Sequence, residues 1–145
     1  MVPTLPGRIQ TRLFLLTAIG VPLTALITLT LPLDGPMAER YQATFTVLAA
    51  VAVLGLGWEL LYHTLMQWRW EKDWPTLFAL LTVLPEGLLL GFLAHRGLLP
   101  GLPGAVPVGA FALHFVAVWL AIWLAANGPM RVPFIRWRFR GGRLL

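Results

Sequence analysis

The 145 residues are 58% hydrophobic and only 12% charged, with a mean hydropathy of +0.76; a soluble domain carries about 25% charged residues, so a water-soluble fold is excluded. At about 20 residues per crossing the chain holds at most about five or six helical spans, and it contains no stretch polar and long enough for a separate soluble domain. Cysteine is absent, which removes disulfides, thiolate metal sites and cysteine nucleophiles, and serine is absent too. The net charge of +5 sits in short flanks beside apolar runs, a pattern of membrane topology and anionic lipid rather than of nucleic acid.

The chain begins with two prolines, a glycine and Arg8 before residue 11, which reads as a short cytoplasmic flank. The first span is expected over about residues 11–31. The run after Arg12 is longer than a signal-peptide core and lacks a convincing small-x-small cleavage site, so it reads as a retained helix. Thr17, Gly20, Thr24 and Thr28 give it a small, weakly polar side, and Pro22 should bend it by removing one backbone hydrogen bond. Pro32, Asp34, Gly35 and Pro36 end it in a turn.

The second span is expected over about residues 43–66. Gly55, Glu59, His63 and Gln67 recur every fourth residue and therefore share one side of a helix. The turn that follows, WRWEKDWP from Trp68, alternates aromatic and charged residues, and Trp68, Trp70 and Trp74 have the makeup of an interfacial belt. The third span, about 75–95, opens on Pro75 and carries Thr82, Pro85 and Glu86 in its middle. A Gly- and Pro-rich apolar loop leads to the fourth span, about 106–126, where Ala110, His114, Ala117, Ala121 and Ala125 form a narrow stripe of mostly small residues suited to close helix approach. Asn127-Gly128-Pro129 stops it, and a basic tail over 128–145 carries Arg131, Arg136, Arg138, Arg140 and Arg143.

The expected fold is therefore all-α: one integral membrane domain, an up-down four-helix bundle of four transmembrane helices. With the termini cytoplasmic, nine of the eleven basic residues fall inside and only Arg40 and Arg96 outside, a strong positive-inside bias. Glu59 lies 13 residues before Lys72 and Glu86 lies 14 after it, so an antiparallel pair would set the two carboxylates at one depth.

An ionisable side chain at the centre of a span costs roughly 2.5–3.5 kcal/mol on insertion scales, so Glu59, His63, Glu86 and His114 form the candidate intramembrane site. Three readings compete. The residues make a buried hydrogen-bonded network between the last three helices that fixes helix register. They form a proton or cation path, with His95 near the outer end, since buried carboxylates and histidines are the material of relays. Or they hold a metal, which the single Glu-x-x-x-His spacing and the outward position of His114 argue against. No haem pair, nucleophile elbow, zinc-protease motif or phosphate loop is present, so no cofactor and no enzymatic activity are expected.

The basic tail reads as a segment on anionic lipid, each cation contributing about 1 kcal/mol near the surface, or as a dock for an acidic protein; single-stranded nucleic acid is ranked low. The expected function is a small structural or accessory subunit within a larger membrane assembly, bound to other subunits or to itself. The alternative is a homo-oligomeric proton- or cation-conducting channel or transporter that uses Glu59 and Glu86.

Overall fold

The computed structural model describes residues 3–145. Most of these are helical, and four helices are long and apolar enough to cross a membrane: α1 (Leu5–Ile27), α2 (Met37–Gln67), α3 (Thr76–His95) and α4 (Val108–Asn127). A short fifth, α5 (Ile135–Phe139), lies in the tail. Each long helix packs against its chain neighbours, and α4 closes back onto α1. The result is an up-down bundle with both termini at one end.

Two helices begin earlier than the sequence suggests. Thr4 caps α1, its Oγ1 accepting from the Gly7 amide at 3.2 Å, and Pro6 occupies the first turn, where a missing N–H costs nothing. The prolines that look like a flank are therefore a helix start, and Arg8 rides on α1 with Arg12 rather than before it. Likewise α2 starts at Met37, so Arg40 and Tyr41 stand on its first turns; the Tyr41 hydroxyl donates to the Ala25 carbonyl at 2.8 Å and ties the α1–α2 corner.

Proline leaves its mark in both expected places. Just before Pro22, α1 widens into a π-helical turn over Leu16–Gly20, which makes room for a ring that would otherwise press on the carbonyl one turn back. In α3 the regular helix is interrupted at Thr82, three residues before Pro85, and the Thr82 hydroxyl donates to the Ala79 carbonyl at 2.8 Å.

The half of the bundle far from the termini is packed and apolar, built from Val47 and Leu48 on α2, Leu90 and Ala94 on α3, and Ala110, Phe111, Phe115 and Val118 on α4. Gly87 and Gly91 let α3 approach α4: a Cβ there would stand 2.8 Å and 2.9 Å from the Phe115 and Phe111 rings. The Gly/Pro-rich loop closes this end, with Leu99 and Val106 buried and Gln42 Nε2 donating to the Gly101 carbonyl at 2.8 Å.

The tail does not trail free of the bundle. Met130 and Trp137 pack on Leu15, and the Trp137 indole donates to Thr11 Oγ1 at 2.7 Å. The Thr4 amide donates to the Gly141 carbonyl and the Leu144 amide to Gln10 Oε1, both at 2.9 Å. Gly7 is required at this crossing, since a Cβ there would sit 2.8 Å from the Gly142 carbonyl carbon. The five tail arginines all remain exposed, while the backbone and Trp137 clasp α1.

Candidate functional site: a buried arginine–glutamate lattice

Starting α1 at Leu5 places Arg8 and Arg12 one turn apart on the side that faces α2 and α3. Opposite them stand Glu59 of α2 and Glu86 of α3. Arg12 Nε donates to Glu59 Oε1 at 2.8 Å, while its Nη1 and Nη2 donate to Glu86 Oε2 and Oε1 at 2.9 and 2.8 Å. Arg8 Nε donates to Glu59 Oε2 at 2.7 Å. Each of the four carboxylate oxygens thus accepts one charge-assisted bond, and three helices meet in one alternating chain, Arg8–Glu59–Arg12–Glu86.

The lattice is deeply covered: the Arg12, Glu59 and Glu86 side chains are 11%, 10% and 4% exposed. Its charges cancel, which is what allows four ions to remain in so apolar a bundle. Gly55 supplies the space, one turn before Glu59; a Cβ there would stand 2.8 Å from Arg12 Cδ. Aromatic faces complete the enclosure, with the Arg8 guanidinium 5.2 Å from the Trp74 ring and that of Arg12 5.8 Å from Trp119. Trp74 also packs on Tyr62 at 5.3 Å and turns inward, whereas Trp68 and Trp70 are exposed. The Tyr62 hydroxyl is buried with no hydrogen-bond partner among the described residues.

The histidines stand apart from the lattice. His114 Nε2 lies 2.8 Å from Thr24 Oγ1, and Thr28 joins the Thr24 carbonyl and Thr44 Oγ1 at 2.6 and 2.8 Å. This second network links α4, α1 and α2 through neutral groups, all of them buried. Among the described residues His63 reaches only Gln67, at 3.4 Å, and its Nδ1 is buried without a partner; His95 Nδ1 lies 3.2 Å from the Val106 carbonyl, in the loop-closed end. The glutamates therefore come together, but through arginines rather than histidines, and α1 takes the place in the charged network that the sequence assigns to α4. Among the described residues no cluster of three or more His, Asp or Glu has the arrangement of a metal site.

Arg8 and Arg12 are the site residues that sequence reading missed. A signal was available: an arginine pair one turn apart matches in number, and opposes in sign, the two glutamates expected within the spans. Beside the lattice lies a cavity of about 290 Å³, walled by all four long helices and the tail, with Glu59, Arg8 and Arg12 on its surface. No family model, curated protein or solved structure matches this chain.

Proposed function

We propose that the chain is a structural or accessory subunit of a larger membrane assembly, with both termini cytoplasmic. The observation that carries this reading is the closed lattice: all four oxygens of Glu59 and Glu86 are held by Arg8 and Arg12, so the intramembrane charges are committed to holding α1, α2 and α3 in register. A carboxylate so engaged offers little to a passing cation. The outer face of α2 supports the same reading, because Ala49, Val53 and Gly57 are exposed there and a Cβ on Gly57 would meet nothing within 4 Å. Such a face lets a neighbouring helix approach closely. With Arg8 and Arg12 drawn into the bundle, Arg69, Lys72 and the five tail arginines still outnumber Arg40 and Arg96 at the opposite end, which favours cytoplasmic termini.

The test is affinity purification from native membranes in mild detergent, with co-purifying proteins identified by mass spectrometry. A stoichiometric larger partner that is lost in Gly57→Leu, a change on the outward face, is the expected result. Recovery of the chain alone overturns the accessory reading. The second reading, a homo-oligomeric proton or cation conductor, is favoured by one observation, the exposure of Glu59 to the cavity. It requires flux in liposomes that Glu59→Gln abolishes.

A further inference from the structure

The cavity beside the lattice is elongated, and its two ends differ. One face of α4 lines it from His114 to Asn127, which at 1.5 Å per residue is a run of about 20 Å along the helix. Its space of about 290 Å³ is a tube partly open along its side rather than an enclosed chamber. The deep end is aliphatic, with Leu16, Leu48 and Val51 on its wall; the end near the termini carries Arg8, Asn127 and Arg131.

The open charged donors of the site lie at that second end. Arg8 gives its Nε to Glu59, but its Nη1 and Nη2 hydrogen-bond to nothing among the described residues, although the side chain is only 10% exposed. Arg131 uses Nη2 on Asn127 Oδ1 at 3.0 Å and has its remaining nitrogens open. The glutamate oxygens are already occupied. Three arginines against Glu59 and Glu86 also leave the site with one positive charge in excess.

We propose that this cavity binds a single-chain amphiphile with an anionic oxygen head, its head on Arg8 and Arg131 and its chain running toward His114. Free donors, excess positive charge and an aliphatic tube select that chemistry over an uncharged ring or a cation. A long-chain carboxylate and a single-acyl phospholipid share it. The site goes beyond the accessory role and does not depend on it.

The test uses the full chain in phosphatidylcholine nanodiscs and follows quenching of its tryptophans by hexadecanoate brominated along the chain. Trp119 and Trp123 line the tube, so a seated chain quenches them saturably. Arg131→Gln, at an exposed position outside the lattice, should weaken binding about tenfold, the effect of losing one charged hydrogen bond. Ala126→Phe, which fills the tube, should remove the saturable component, and the brominated C16 alcohol should bind at least about tenfold more weakly than the acid. Competition by single-acyl phosphatidate then separates the sources: stronger displacement by it assigns a phospholipid, and stronger displacement by unbrominated hexadecanoate a free acid. Quenching that never saturates, or that is the same in both variants as in the parent, or that is equal for acid and alcohol, overturns the proposal.

Discussion

The bundle contains two buried polar networks that solve the same problem differently. Toward the termini, Arg8, Glu59, Arg12 and Glu86 are ions, each satisfied only by groups on other helices. Further in, Thr24, Thr28, Thr44 and His114 are neutral, and two of the hydroxyls have a carbonyl of their own helix within reach as an alternative acceptor. A hydroxyl in a membrane helix carries its own fallback partner one turn back. A guanidinium or carboxylate does not, so the charged lattice holds three helices together more stringently than the neutral one.

That contrast sets the order of expected effects. Arg12→Ala removes three bonds at once and leaves Glu86 buried and unpaired, a loss of about 3–5 kcal/mol or failure to accumulate in the membrane. Thermal unfolding in detergent micelles measures it. Removing both ions in Arg12→Leu with Glu86→Leu keeps Arg8 against Glu59 and the charge balanced, so the double variant should be more stable than Arg12→Ala alone; a double variant as unstable as the single one would mean that charge balance is not what holds the site.

Gly55→Ala leaves every ion in place but pushes a methyl group into Arg12, and about 1–3 kcal/mol is expected from that overpacking. The neutral network should respond less. Thr24→Val deprives His114 of its partner at similar volume, and about 1–2 kcal/mol in the same assay fits one unmade neutral hydrogen bond. A larger loss from Thr24→Val than from Gly55→Ala would reverse the ranking of the two networks. Trp70→Ala lies at the bottom of the series: the side chain is 99% exposed in the α2–α3 turn, and no shift in the unfolding midpoint is expected in micelles.

Much of the architecture was legible from composition and spacing alone. Four apolar runs separated by Pro, Gly and charged turns give four helices, because lipid leaves no other way to satisfy backbone groups in segments of that length. The matched distances of Glu59 and Glu86 from Lys72 give their shared depth, since two antiparallel helices rise at one rate from a common turn. Tertiary structure alone decided what meets those carboxylates. Whether Arg8 lies in a flank or on the helix that carries Arg12 turns on a Thr4 cap and a proline in the first turn, and that local choice is stabilised by a partner 51 residues away. The clasp of Trp137 on Thr11 and the crossing of Gly7 by Gly142 are equally remote contacts between the two ends of the chain. Hydropathy and periodicity describe one helix at a time, whereas ion pairing and close backbone approach depend on which helices are brought side by side.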